Sequence, residues 1–311
     1  MGKNISQKQL GLLALFATVF LWGPGPVVTK LALEEVPQFS LAFLGRLLAL
    51  VCMVFIARKG KAFVIEKKDV GMFFLAGLFG QGLNLGLFFY AIQHTSAMTA
   101  QAIFALAPVA TALFAFAFLK ERITTLQLVG TFIALGGALL ITMETILLGG
   151  SWNGGAFIGN IVMVFAMLSW VAYILISKKL SVRYSPVTIT LYSFLVGSLL
   201  FLPLALVENV RSMAWIDSIG FQGWFGVFYQ GIFASVLAFL AYQTGLKLTS
   251  AFTAGLVLYL NPIATALVAV PVLGERLSTF FVVGTGLILF GSFIATQFER
   301  MKNHIRRKSL A

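Results

Sequence analysis

The sequence predicts an all-α integral membrane protein with ten transmembrane helices, arranged as two five-helix repeats of inverted topology. Three observations carry this expectation. Of 311 residues, 59% are hydrophobic and 10% are charged, and the mean hydropathy is +0.97. Soluble domains carry about a quarter charged residues and need them to coat the surface. That excludes a soluble enzyme, a disordered chain and a nucleic-acid module. The apolar runs are also long and unalternating, as over residues 104–119 and 282–296, where a barrel would show alternating segments of roughly ten residues. Lastly, a block of sequence beginning at Thr95 returns at Thr249.

A spanning helix takes about 20 apolar residues. Apolar runs fall at residues 10–30, 38–57, 70–92, 96–119, 125–146, 156–177, 187–207, 219–243, 250–273 and 279–298. The first follows Lys3 and Lys8, as a signal peptide would. It continues into Gly23-Pro24-Gly25-Pro26 without a small-residue cleavage site, so a retained span is expected. Pro24 and Pro26 should break it, releasing backbone groups that need internal partners or cavity water. The second run holds Arg46 and the single cysteine, Cys52, which allows no intramolecular disulfide. Very short links at His94-Thr95 and at 247–249 make their neighbours antiparallel. Pro108 in the fourth span and Pro262 in the ninth sit at equivalent depths and join Pro24 and Pro26 as candidate hinges. Gly130, Ala134 and Ala138 line one face of the fifth span and suit close packing, within the chain or in a homodimer.

The basic residues set the direction. With both termini cytoplasmic, 18 of the 22 Lys and Arg fall in inside segments, 3 outside (Lys30, Arg211, Arg276) and 1, Arg46, within a span. A wrong span count would scramble that asymmetry. The net charge of +12 is therefore what membrane topology demands, and no nucleic-acid partner is implied.

The repeat is gapless over residues 95–142, where 22 of 48 positions recur at a shift of 154. Thr95-Ser96-Ala97 matches Thr249-Ser250-Ala251, Pro108 matches Pro262, Glu121-Arg122 matches Glu275-Arg276, and Gly130 and Gly137 match Gly284 and Gly291. The first spans match more weakly, with Trp22 and Lys30 opposite Trp170 and Lys178. The units are 1–148 and 149–299, followed by a basic cytoplasmic tail at 300–311. Each unit holds five spans, an odd number, so equivalent residues lie on opposite faces. Such an inverted duplication opens a central site alternately to each side.

Trp-Gly-Pro in the first span, Thr-Ser-Ala then Pro in the fourth and Leu-x-Glu-Arg after it, with the latter blocks repeated in the second half, resemble the drug/metabolite transporter superfamily. More narrowly they resemble its EamA-like family of ten-span bacterial carriers. The resemblance covers nearly the whole chain and does not specify substrate. It implies a bacterial inner-membrane protein whose site lies between the halves, lined by spans one, three, four, six, eight and nine. Spans five and ten would be peripheral. Members carry amino acids, sugars, nucleotide-linked metabolites, vitamins or toxic analogues, often outward.

Polar groups inside spans should face a cavity or one another. Gln81, Asn84 and Phe88 share one face of the third span, and Asn160, Trp170, Tyr173 and Ser177 share a stripe of the sixth. Thr18, Trp22, Gly25 and Thr29 form a third stripe. Gln230 in the eighth span and Tyr259 in the ninth add an amide and a ring. Candidate substrate-binding residues are Trp22, Gln81, Asn84, Phe88, Asn160, Trp170, Tyr173, Gln230 and Tyr259. The alternative is interhelical hydrogen bonding and an interfacial aromatic belt. Arg46 needs neutralising: a substrate carboxylate, backbone carbonyls and Glu34 or Glu35 are the options, and the second span is not expected to line the site strongly.

These features favour a secondary transporter of small neutral or zwitterionic, amino-acid-like metabolites, working in the export direction, with the bilayer and the metabolite as its partners and no cofactor or metal. An integral-membrane enzyme would need clustered His, Asp or Glu, which the two His and ten acids do not supply. A non-transporting receptor leaves the inverted duplication unexplained. No Gly-x-x-x-x-Gly-Lys-Ser/Thr loop exists for ATP. With no carboxylate mid-span, diffusion or exchange is expected in place of ion-driven pumping.

Overall fold

Ser6 starts the first helix by a reciprocal cap. Its Oγ accepts the Gln9 amide at 3.2 Å while Gln9 Oε1 accepts the Ser6 amide at 2.8 Å. The computed structural model describes residues 6–58, 63–107, 109–111, 114, 125–143, 154–210, 212–249, 254 and 260–308. Of the candidate residues, Pro108 and Tyr259 lie outside these. Helix α1 (Gln7–Trp22) stops at the Gly-Pro pair, and α2 (Gly25–Glu35) restarts with Pro26 in its first turn, where a missing N–H costs nothing. Then come α3 (Gln38–Ala57) and α4 (Val70–Gly77), which passes through a π-helical segment, Leu78–Leu83, into α5 (Asn84–His94). Next are α6 (Ala97–Phe104), α7 (Thr125–Thr142), α8 (Gly154–Leu180), α9 (Pro186–Glu208) and the short α10 (Trp215–Ser218). Helix α11 (Phe221–Phe228) passes through a second π segment, Tyr229–Leu237, into α12 (Ala238–Leu248). The chain closes with α13 (Asn261–Leu273), which has Pro262 in its first turn and left-handed Gly274 after it, and α14 (Thr279–Lys308).

Among the described residues all regular structure is helical. Six segments there are long and apolar enough to cross a bilayer: Gln7–Glu35, Gln38–Ala57, Lys67–His94, Gly155–Leu180, Pro186–Glu208 and Phe221–Leu248. Shorter apolar helices at Leu128–Ile141, Asn261–Leu273 and Thr279–Gly291 fall on expected spans five, nine and ten. The exterior is apolar, with Phe20, Phe132, Phe165 and Leu199 more than half exposed, while Thr18, Gln81, Gln230, Ser235 and Gln243 are buried. That inversion of the soluble pattern is what lipid imposes.

The helices pair across the two halves. Helix α1 packs on α12 and α2 on α11, while α8 packs on α5 and α4. Helix α3 lies against α9, α6 against α13, and α7 against α14. The last pair touches backbone to backbone. A Cβ added to Gly137 would sit 2.4 Å from the Gly284 carbonyl oxygen, and one on Gly291 would sit 2.5 Å from that of Gly130. Gly130 thus meets Gly291 and Gly137 meets Gly284, so the two helices run antiparallel. The small-residue face of the fifth span is covered at these points by the chain's own last helix.

Carboxylates and lysines tie helix ends together. Glu35 accepts the amides of Gly220 (2.9 Å) and Gly223 (2.7 Å), Glu208 those of Phe39 (3.1 Å) and Ser40 (2.8 Å), and Glu275 those of Ala97 (2.7 Å) and Met98 (3.1 Å). Each satisfies orphan N–H groups at the start of a helix in the opposite half, where negative charge is favoured. All three sit at one end of the bundle. Lys30 donates to the Thr95 carbonyl (3.1 Å), and Lys178 to those of Leu246 (2.7 Å) and Thr249 (3.2 Å). Both lysines, a pair in the repeat, cap the C-terminus of the helix that precedes the Thr-Ser-Ala block, α5 and α12.

Candidate functional site

The two π segments occupy equivalent spans, and each carries a Gln-Gly pair, Gln81-Gly82 and Gln230-Gly231. A π turn inserts a residue into the helical ladder and leaves a carbonyl short of its ordinary donor. At Gln230 the carbonyl is taken by two other groups: Ser235 Oγ donates to it, and so does Arg46 Nη2 at 3.2 Å. The Gln230 side chain donates to Thr29 Oγ1, which itself donates to the Gly25 carbonyl at 2.8 Å. Gln81 Oε1 accepts from Arg46 Nη1 at 2.6 Å. One buried network therefore joins α2, α3 and the two π segments.

This network walls a cavity of about 120 Å³. Its polar lining is Thr29, Arg46, Gln81, Asn84, Gln101, Gln230 and Asn261, and its apolar lining includes Trp22, Phe88, Phe104, Trp170 and Phe239. Trp22 and Trp170 meet edge to face at 5.4 Å between ring centroids, and Tyr242 leans on both at 5.2 and 5.5 Å. Trp22 is held by its indole N–H on the Ala234 carbonyl, 2.8 Å away. Asn84 donates to the Ala166 carbonyl at 2.8 Å, bracing span three on span six. The carbonyls freed by the break in span one are satisfied too: Tyr229 Oη donates to Leu21 and Thr265 Oγ1 to Gly23, each at 2.6 Å.

Of the residues singled out from the sequence, Trp22, Gln81, Asn84, Phe88, Trp170 and Gln230 line this cavity, as does hinge candidate Pro26. Tyr173 stands behind the lining, 5.0 Å from the Trp170 ring, with its hydroxyl accepting from Gln243 Nε2 at 2.7 Å. Asn160 lies elsewhere, accepting from Thr95 Oγ1 at 2.5 Å. The sequence reading groups it with Trp170, but ten residues place the two about 80° apart around the helix and roughly 15 Å apart along it. Pro24 occupies the turn between α1 and α2.

The lining comes from α1, α2, α5, α6, α8, α12, α13 and both π segments, and from α3 through Arg46. The guanidinium reaches the cavity from α3, a helix from which the resemblance implies little contribution. Glu35 and Glu34 do not neutralise it: Glu35 caps α11 and Glu34 is exposed. Arg46 also stacks over Phe194, 5.3 Å from its centroid. The recurrent Gln-Gly dipeptide, at a shift of 149 close to that of the tryptophans, is the sequence signal for the π segments.

The cavity suits a small organic molecule with an apolar body and polar ends, held by amides, one guanidinium and indole faces. Among the described residues no group of three His, Cys, Asp or Glu is arranged to hold a metal ion.

Comparison with known proteins agrees with this architecture. The EamA-like transporter family matches residues 9–143 and again residues 157–297. The uncharacterized transporter YetK of Bacillus subtilis is 26% identical over 299 residues, covering 94% of this chain and 89% of its own. A Streptantibioticus cattleyicolor protein named "Probable terminal-alkyne amino-acid exporter" is 26% identical over 280 residues, covering 89% of this chain and 90% of its own. A solved crystal structure at 20% identity has the same fold, with a TM-score of 0.67 over 94% of this chain and 98% of that one. The chain is a multi-pass membrane protein built from two repeats, and it belongs to the EamA-like transporter family of the drug/metabolite transporter superfamily.

Proposed function

We propose that the chain is a secondary transporter that exports small amino-acid-like metabolites across the bacterial inner membrane by alternating access. In this proposal ten spans form two halves of inverted topology, with both termini cytoplasmic. The observation that carries the proposal is the cavity lined by residues of both halves, with Trp22 against Trp170 in its wall. The helix pairing supports the inversion. Exchange of halves turns the α1–α12 contact into the α8–α5 contact, and turns Gly130–Gly291 into Gly284–Gly137. Only a two-fold axis across the helices does this, and such an axis in the membrane plane is the geometry of alternating access. The relative named for terminal-alkyne amino-acid export supports the cargo class and the direction.

Transport is driven by the substrate gradient alone. Uphill movement requires a driving ion with different binding free energies in the two states. None of the carboxylates with described side chains lines the cavity. His94, in an exposed link, stacks on Tyr90. The carbonyls of Leu21, Gly23 and Gly25, which an unwound helix could offer to sodium, already accept side-chain hydroxyls. Proteoliposomes holding equal labelled neutral amino acids on both sides should show exchange but no accumulation when a proton or sodium gradient is imposed. Accumulation against the substrate gradient overturns the uncoupled mechanism, and absence of exchange for every amino acid overturns the cargo.

The paired tryptophans carry the affinity. An aromatic contact contributes about 0.5–1.5 kcal/mol beyond its area, so Trp170→Ala should raise the transport KM by about two- to tenfold at unchanged expression. Trp22→Ala should do more, since it also leaves the Ala234 carbonyl without its indole donor. Unchanged KM in both assigns the rings to packing.

A further inference from the structure

Arg46 is 2% exposed, and among the described residues no carboxylate lies within ion-pair distance of it. The seven acids with described side chains are employed or exposed elsewhere. Glu35, Glu208 and Glu275 cap helix starts, Asp69 meets Arg183 and Tyr184, Glu66 meets Lys68, and Glu34 and Asp217 are exposed. A guanidinium has five N–H donors. Two are used here, toward Gln81 Oε1 and the Gln230 carbonyl. The Nε–H has no acceptor among the described residues, and the neighbouring Gln81 Nε2 has none either. The result is a cluster of N–H donors around one buried positive charge, on the wall of a cavity. A charge and donors left this way inside a membrane protein are costly unless something that enters the cavity completes them.

We propose that Arg46 is the anchor for a carboxylate on the transported molecule, with Gln81 Nε2 as a second donor to the same group. This rests on the reading of the cavity as the transport site. The planar fork of a guanidinium matches a carboxylate, whose oxygens accept two parallel N–H bonds. The π turn at Gln230 and the side chain of Gln81 hold the fork by its other edge, so the anchor is oriented before substrate arrives. Phe194 beneath the guanidinium plane restrains it further. The tryptophans then receive the apolar body of the molecule. The site is a carboxylate site with an aromatic slot, and molecules whose carboxyl is masked as an amide or ester are rejected.

The test uses the full chain in nanodiscs and matched pairs that differ only at the carboxyl: L-leucine against L-leucinamide, and isovalerate against isovaleramide, each read by thermal shift and by binding titration. In the wild type the acids are expected to bind at least tenfold tighter than their amides. Arg46→Gln should bring that ratio to about one, and Arg46→Lys should keep a partial preference, since charge remains but the fork is lost. An acid-to-amide ratio below ten in the wild type overturns the proposal even if Arg46→Gln does not fold. A ratio that survives Arg46→Gln overturns it too. If isovalerate binds through Arg46 while leucine neither binds nor is exchanged in proteoliposomes, the carboxylate anchor stands and the amino-acid cargo fails. If raising chloride at constant ionic strength displaces both acids and amides equally, an inorganic anion occupies the anchor and the proposal fails.

Discussion

Gly137→Ala should lower the stability of the detergent-purified protein by about 1–3 kcal/mol, the usual cost of forcing a group into a closely packed contact. The added Cβ would lie 2.4 Å from the Gly284 carbonyl oxygen and 2.9 Å from the Ile288 amide nitrogen, both backbone atoms that no rotamer change can move. The α7 and α14 axes would have to separate, removing dispersion contacts along the whole seam, in a setting where close packing is a main driving term. Gly284→Ala should cost a similar amount, because its Cβ would meet the Gly137 oxygen at 2.7 Å and Ile141 Cγ1 at 2.5 Å. Gly136→Ala is the control: nothing lies within 4 Å of a Cβ there, and alanine is the better helix former. Apparent melting temperatures of the three variants decide the matter. Equal values for Gly136→Ala and Gly137→Ala would mean that the α7–α14 seam contributes nothing.

One side of that seam is legible in the sequence for a physical reason, since a close-packing face leaves a compositional trace. Its partner, within the chain or in a homodimer, stays open until α14 is seen against it. Gly130 and Gly137 recur as Gly284 and Gly291 because each half supplies one side of the same contact. The repeat pairs Trp22 with Trp170 as equivalent positions, and that their rings touch comes from the structure alone. Depth was harder to read. Asn160 stands ten residues from Trp170, about 80° round the helix and roughly 15 Å along it. The stripe drawn through both is therefore wrong in angle as well as in height, and Asn160 binds Thr95 at 2.5 Å rather than facing the cavity. For Arg46 the sequence leaves a substrate carboxylate, backbone carbonyls and Glu34 or Glu35 as options, and the structure shows a carbonyl, that of Gln230, together with Gln81 Oε1. A long side chain reaches past its own helix, and a π turn in the neighbouring span turns the Gln230 carbonyl toward it. Nothing in periodicity marks a π turn. The recurrence of Gln-Gly at matching places in both halves is the trace it leaves.

Glu275→Ala should open one end of the bundle. Glu275 accepts the amides of Ala97 at 2.7 Å and Met98 at 3.1 Å, and Lys30 Nζ stands 3.9 Å away, so one carboxylate from the second half caps a helix of the first and offsets a lysine. Its loss leaves two helix-start N–H groups without an acceptor, at about 1–3 kcal/mol for such an unsatisfied group, and removes the negative charge the helix dipole favours. In a form open at this end the same N–H groups meet water and lose little. The substitution therefore penalises the closed form selectively and shifts the population toward the open one, by about tenfold for each 1.4 kcal/mol. Gln101 and Phe104 line the cavity on the helix that Glu275 caps. In a Cys52→Ser background carrying Gln101→Cys, the rate of maleimide labelling in nanodiscs should rise about tenfold on Glu275→Ala. Glu275→Gln, which keeps one acceptor oxygen but not the charge, should give an intermediate rate. The companion ties at Glu35 and Glu208 hold the same end, so removing all three should raise labelling further than Glu275→Ala alone. An unchanged rate in Glu275→Ala, with the melting temperature lowered, would mean that the carboxylate holds a helix end in place in every conformation and gates nothing.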